Sequence, residues 1–368
     1  MATTPRLQGR ITRVSIEGFR SLQKVDNLTL PQLTVLIGSN GAGKSNFIRF
    51  FDMLGWMFRT QNLQEFIIRN GGADDQLFMG AQKTSRISAE VRIETDLHIN
   101  DYHFSMTPIS GDTLMISDES YRCSDKAHLQ NEQARKLGTN SKEAAITGEK
   151  SATAKTIVHL LRQCSAFQFH DTSPNAPIHN RWDITDGIKL RFDGGNLAAV
   201  LLDLFENDLP RYKQIVRQIQ RVLPTFGDFV LEPSSGKVLL RWRSKYGDKV
   251  FGAHLTSDGS LRLFCLLTLL NMPDDRLPDV LFLDEPELGL HPHAIILISE
   301  MLKRVAQTRQ VFIATQSPWM VDCFDLENII VADLKDGATS LRNLSREQYQ
   351  EWLDDDFLLS EIWLKTAA

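Results

Sequence analysis

The run Gly38-Ser-Asn-Gly-Ala-Gly-Lys-Ser45 constrains this chain more than any other feature. It follows the spacing G-x-x-x-x-G-K-[ST], and its flanks suit a phosphate-binding loop. Before it lies Leu33-Thr-Val-Leu-Ile37, short, apolar and rich in β-branched residues, which predicts a buried strand. After it, Ser45-Asn-Phe-Ile-Arg-Phe-Phe-Asp-Met-Leu-Gly-Trp56 predicts a helix. Strand, glycine turn and helix start together aim backbone N–H groups at one anion. Gly38, Ser39, Asn40, Gly41, Ala42, Gly43, Lys44, Ser45 and Asn46 are therefore the candidate phosphate cradle. Lys44 reaches β- and γ-phosphates, and the Ser45 hydroxyl ligates Mg²⁺. Phe47, Ile48, Phe50, Phe51, Leu54 and Trp56 predict a helix buried on more than one side.

A second motif, Asp279-Val-Leu-Phe-Leu-Asp-Glu-Pro286, reads as a buried strand closed by two carboxylates. Asp284 suits a metal-holding role through the water shell of Mg²⁺. Glu285 suits a general base that orients and deprotonates an attacking water. The two motifs stand too far apart for a compact small GTPase, which predicts a head carrying a large insertion.

Composition narrows the partners. The net charge of -5 and pI near 6.0 argue against a protein that coats DNA over a broad surface, so nucleic-acid contact requires local patches. Cys123, Cys164, Cys265 and Cys323 are scattered and form no C-x-x-C pair, which predicts free thiols in a reducing cytoplasm. Cys265 and Cys323 lie in apolar runs and read as core. Leu263 to Met272 is too short to cross a bilayer, and Met1 to Arg6 lacks the apolar stretch of a signal peptide.

Along the chain, short β-like runs fill Arg86 to Tyr121, and a polar stretch near 125–155 predicts an exposed or mobile arm. Residues 171–181 read as loop. Asn196 to Leu223 predicts two helices broken near Pro210, followed by short strands around Asp228–Leu231, Val238–Trp242 and Lys249–Phe251. Leu255 to Leu270 predicts a helix, another starts near Pro292, and Val311 to Thr315 predicts a buried strand.

Between the two phosphate motifs sits Leu255-Thr-Ser-Asp-Gly-Ser-Leu-Arg262, where a helix start can face a γ-phosphate. Here the chain resembles the ABC-type ATPases, closest to the RecF/SMC/OLD-like predicted AAA-family ATPases with their "LSDGT-LR" signature. Ile16 to Leu22 is similar to the opening strand of those heads, Glu285 to Pro292 to their Walker-B and D-loop. Ala314-Thr-Gln-Ser-Pro318 is similar to their switch segment, and Ile362 to Lys365 to their C-terminal tail. The resemblance covers nearly the whole chain. It implies an α/β fold: an ABC-type ATPase head, with a P-loop sheet, an antiparallel β lobe and a helical insertion. It places the ATPase core at 1–95 and 190–368, and a β/helical lobe insertion at 96–189. It also implies ATP and Mg²⁺ as cofactors and a homodimer with composite ATP sites, in which Ser257 and Gly259 face the partner's nucleotide and His291 lies in the D-loop at the dimer face. Standalone heads of this kind work in DNA repair or anti-phage defence, often beside a separately encoded effector.

Two departures stand out. Gln316 occupies the histidine place of the switch; it hydrogen-bonds a γ-phosphate or water but carries no proton, which implies slow or partner-dependent hydrolysis. No heptad run supports the long coiled-coil arms of SMC proteins, and no Toprim-like acidic block follows the head. For the Q-loop glutamine, Gln76 and Gln82 are both candidates. Arg211, Lys213, Arg217 and Arg221 form a basic helix stripe, and Arg241-Trp-Arg-Ser-Lys-Tyr246 mixes cations with aromatics; each reads as a solvated surface or as a phosphate track. Two other functions stay open. One is the energising subunit of a membrane transporter, against which the signature and the D-loop speak. The other is a nucleotide-gated binding module with negligible turnover.

Overall fold

The computed structural model describes residues 9–127, 133–349 and 357–366. Its strands fall into two six-stranded sheets and two small ones. The first large sheet is antiparallel throughout: β1 (Gly9–Phe19), β2 (Leu22–Thr29), β4 (Ile87–Thr95), β5 (His98–Ile109), β6 (Thr113–Asp125) and β7 (Arg135–Lys136), in the order β2-β1-β4-β5-β6-β7. Along β4, buried and wetter residues alternate, because an antiparallel sheet packs one face on the core and leaves the other to water.

The second large sheet contains β3 (Leu33–Ile37), β8 (Cys164–Phe167), β14 (Val280–Asp284), β15 (Gln310–Thr315), β16 (Ile329–Lys335) and β17 (Ala338–Asn343). Its order is β17-β16-β3-β15-β14-β8, parallel except for the β16–β17 hairpin. Every residue of β3, β8, β14 and β15 is buried, as expected of parallel strands covered on both faces. β3 lies inside this sheet, between β16 and β15. Two minor sheets complete the β structure: β10 (Phe226–Phe229), β12 (Arg241–Ser244) and β13 (Val250–Gly252), and the pair β9 (Trp182–Asp183) and β11 (Lys237–Val238).

Helix α1 (Lys44–Thr60) lies between the two large sheets. Phe50 and Phe58 turn toward Phe104 and Tyr102 of the lobe, with ring centroids 6.4 and 5.8 Å apart. Phe51 turns the other way, 4.9 Å from Phe282 and 5.9 Å from Phe312 of the parallel sheet. The many large apolar residues of this helix serve two cores at once. The opposite face of the parallel sheet is covered by α5 (Leu197–Asn207), α6 (Leu209–Val222), α7 (Asp258–Leu270) and α8 (Pro292–Val305). The break between α5 and α6 falls at Asp208, whose side chain caps α6, with Pro210 in the first turn.

The sheets cut across the boundary that the sequence suggests at residue 96. The N-terminal strands β1, β2 and β4 join the antiparallel lobe, whereas β8, within 96–189, joins the parallel sheet. The reason is pairing: β8 is a four-residue strand, Cys-Ser-Ala-Phe, with no local sign that its partner is β14. Of the polar stretch 125–155, residues 128–132 lie outside the described residues. Residues 133–136 and 138–140 are exposed, as expected, but the stretch is tied down: β7 pairs with β6, Ile146 is fully buried, and Ser151 caps helix α4 (Ala152–Arg162). Cys265 is buried, but Cys323 is only half-buried, because it follows a short surface turn. Among the described residues, no helix is long and apolar enough to cross a membrane.

Candidate functional site

Strand register brings the phosphate loop, the acidic pair and the switch residue to one edge. Thr315 pairs with Ile37, and Asp284 with Ala314. Gly38, Glu285 and Gln316 therefore leave neighbouring strands at nearly the same level. In the loop, Ser39, Asn40 and Gly41 are exposed at the rim, Ala42 is buried, and Ser45 is exposed. Gly43 precedes α1 with φ +94°, and a Cβ there would meet the Thr339 hydroxyl at 1.9 Å. Asn46 donates to the Ser21 hydroxyl, which also contacts Thr339 at 2.7 Å, so the β1–β2 turn and β17 brace the loop from behind.

Lys44 is 5% exposed, and its Nζ donates to the Gly38 and Ser39 carbonyls at 2.8 and 3.0 Å. Burial pushes its ammonium below the usual range, while Glu285, Asp284 and Glu287 pull it back up. Asp284 is 7% exposed; one oxygen accepts from the Gln168 amide at 3.3 Å, and Oδ1 is buried without a hydrogen-bond partner among the described residues. Its backbone carbonyl accepts from His170 at 2.9 Å. Glu285 is half-buried and adopts φ +43°, a left-handed conformation that costs a non-glycine residue about 1–3 kcal/mol. Strain of this kind persists where surrounding contacts enforce it, and here the Glu285 N–H is fixed on Ala314 O at 2.8 Å.

The structure adds residues that the motifs did not single out. Gln168 follows β8 and reaches Asp284, whereas Gln76 is fully buried and Gln82 lies in an exposed turn. Gln76 instead accepts from Arg20 at 3.1 Å and donates to Asn70 O, bracing the β1–β2 turn. Neither sequence candidate is at the acidic edge; position just past a buried strand is the signal that marks Gln168. Glu287 is 7% exposed and accepts from the Thr315 hydroxyl. Burial pushes its carboxyl up to about 7, against the pull of that hydrogen bond.

Ser257, Gly259 and His291 are gathered apart from the loop. Ser257 is exposed and caps α7, accepting from the Ser260 N–H. Gly259 packs on the loop after the acidic strand; a Cβ there would fall 2.3 Å from the Gly289 carbonyl oxygen. Arg262, one turn on, donates to the carbonyls of Phe169, His170 and Leu288 at 3.1–3.2 Å. It thereby joins the signature helix to both the Gln168 segment and the loop that follows Glu287. His291 is exposed and caps α8, with its ring stacked on His293 at 5.3 Å.

Of the basic stripe, Arg211 is engaged with Asp208 and the Asn271 carbonyl, which leaves Lys213, Arg217 and Arg221 exposed on α6. Arg241 pairs with Glu232, Trp242 is buried, and Tyr246 is 74% exposed.

A P-loop sheet with the acidic strand one strand removed, joined to an antiparallel lobe, is the fold of SMC head domains. Two solved structures share this fold at TM-score 0.53. One is an SMC head bound to the C-terminal winged-helix domain of ScpA, 16% identical, matched over 93% of this chain and 99% of the other. The second is a head with an extended coiled coil bound to the C-terminal domain of ScpA, derived from Pyrococcus furiosus. It is 14% identical, matched over 95% of this chain and 100% of the other. Over residues 33–322 the chain matches, and belongs to, the family described as "AAA domain, putative AbiEii toxin, Type IV TA system".

Proposed function

We propose that this chain hydrolyses ATP and closes head to tail with a second copy around two nucleotides. The observation that carries the reading is the Asp284 carboxyl. It is buried at the strand end beside the phosphate loop, and its Oδ1 has no protein partner among the described residues. Hard oxygen donors, Asp284 and the Ser45 hydroxyl, suit Mg²⁺. Bound Mg-ATP supplies the γ-phosphoryl group, and the metal neutralises the charge that develops on it. Lys44 draws the same charge from the protein side. Glu285 holds and deprotonates the attacking water, Gln168 orients Asp284, and Gln316 hydrogen-bonds the phosphate or the water. Ser257 and Gly259 of the partner copy complete each site, with His291 at the joint face.

Closure of the pair is the output, biasing DNA held through local basic patches or a separately encoded effector protein in the cytoplasm. DNA repair and anti-phage defence are the settings in which standalone heads of this type work. Gln316 favours a second reading, a nucleotide-gated module with little turnover, because an amide cannot shuttle a proton.

Two variants test the reading. Glu285→Gln retains ATP affinity and loses turnover by about 10²–10⁴-fold, the span expected for a general base; wild-type turnover in it removes that role. Ser257→Arg leaves nucleotide binding by the single chain intact but blocks ATP-dependent dimerisation in sedimentation. A Ser257→Arg chain that dimerises as well as the wild type defeats the composite site.

A further inference from the structure

Gln316 stands on a turn whose anchor lies beneath it. Thr315 is fully buried, donates its hydroxyl to Glu287 Oε1, and accepts from the Ser317 N–H at 3.0 Å. Both bonds meet at the Thr315 hydroxyl, and the second spans Gln316. The Gln316 side chain itself has no hydrogen-bond partner among the described residues, so its place is set by the backbone that carries it. Glu287 belongs to the loop leaving β14, and Thr315 ends β15, the neighbouring strand. Their bond therefore ties two adjacent strand ends just past the last paired residues, Asp284 and Ala314. Without Glu287, the buried Thr315 hydroxyl loses its acceptor, a costly state that the turn relieves by moving.

We propose that Glu287 is a positioning residue which, through Thr315, fixes the turn presenting Gln316 to the phosphate site. The loop after the acidic strand and the switch turn then move as one unit. This rests on the ATPase reading above, but the anchoring is a property of the chain without nucleotide. In this role Glu287 works through Oε1, which accepts from the Thr315 hydroxyl; its Oε2 is buried with no hydrogen-bond partner among the described residues. Misplacing a phosphate-contacting group by about 1 Å can cost about 100-fold in rate.

The test uses the full chain and two measurements: hydrogen exchange of the Gln316 and Ser317 amides without nucleotide, and steady-state ATP hydrolysis. Glu287→Ala and Thr315→Val are expected to speed exchange at both amides. They should lower kcat about 10- to 100-fold with KM little changed. Glu287→Gln and Thr315→Ser, which keep an acceptor and a hydroxyl, should stay near the wild type in both readouts. The Glu287→Ala/Thr315→Val double variant should be no worse than either single change. Unchanged exchange and kcat in a folded Glu287→Ala chain would overturn the proposal. So would a Glu287→Gln chain as impaired as Glu287→Ala, since the carboxylate charge would then be what matters. Should Glu287→Ala fail to fold, Thr315→Val with wild-type exchange is the overturning result. A wild type that hydrolyses no ATP breaks the ATPase reading, whereas exchange at the turn still decides whether Glu287 anchors Gln316.

Discussion

The parallel sheet and the lobe sheet have six strands each, yet they treat polar groups in opposite ways. In β3, β8, β14 and β15 every residue is buried, and the ionisable groups stand at or beyond the strand ends. The lobe carries its polar residues along the strands. Asp101 on β5 takes Arg92 at 2.7 Å and Arg122 at 2.6 Å, while next to it Tyr102 reaches into the core and donates to the buried Glu119 at 2.8 Å. The difference follows from cover. A sheet packed on both faces has no place for charge except its edge, so its candidate chemistry collects at one C-terminal rim. A sheet with one wet face spends its polar groups on structure. Helix α1 links them, with phenylalanines on both sides, so the lobe supports the phosphate loop without contributing charge to it.

The sharpest way to break this comparison is at the rim. Lys44→Ala should weaken ATP binding by about 100-fold or more, the equivalent of about 3 kcal/mol of charge-assisted hydrogen bonding. The melting temperature should barely change, because the rim is not what holds the sheet. Normal affinity by titration would remove the phosphate-loop assignment. Inside the same sheet the expectation reverses. Phe282 stacks on Phe312 at 4.5 Å and on Phe51 at 4.9 Å, so Phe282→Ala should cost about 3–5 kcal/mol in urea unfolding. A loss below about 1 kcal/mol would mean that this layer collapses readily and is not the shared core.

The lobe gives a smaller effect with a pH signature. Burial alone would raise the Asp101 carboxyl, but hydrogen bonds from Arg92 and Arg122 outweigh it and hold the group below its ordinary range. A carboxyl lowered on folding stabilises the protein above its unfolded value near 3.9, and that contribution disappears as pH falls through the lower folded value. Asp101→Asn should therefore cost about 1.5–3 kcal/mol at neutral pH and progressively less in acid. A gap that is constant from neutral to acid pH would assign the loss to shape rather than charge. ATP binding should be unaffected by this substitution.

Much of the site was legible because its signals are contiguous. Gly38 to Ser45 must form a strand-to-helix turn, and Val280 to Asp284 must be a buried strand ending in acid, whatever surrounds them. The capping Ser257, the break before Pro210 and the crowded aromatics of α1 are likewise local properties of backbone and side chain. The partners across space were not legible. Gln168 meets Asp284 only because β8 lies parallel to β14, across 116 residues of chain, and a four-residue strand carries no mark of its neighbour. Gln76, equally polar on paper, is drawn into the core to hold Arg20. Glu287 reads as one more acid after a strand until β15 sets Thr315 against it. Sequence thus determined which candidate groups the chain offers and on which local elements they stand, since loop geometry and strand burial are short-range. The tertiary structure alone decided which groups share it, because parallel pairing is settled by long-range packing and leaves no short-range trace.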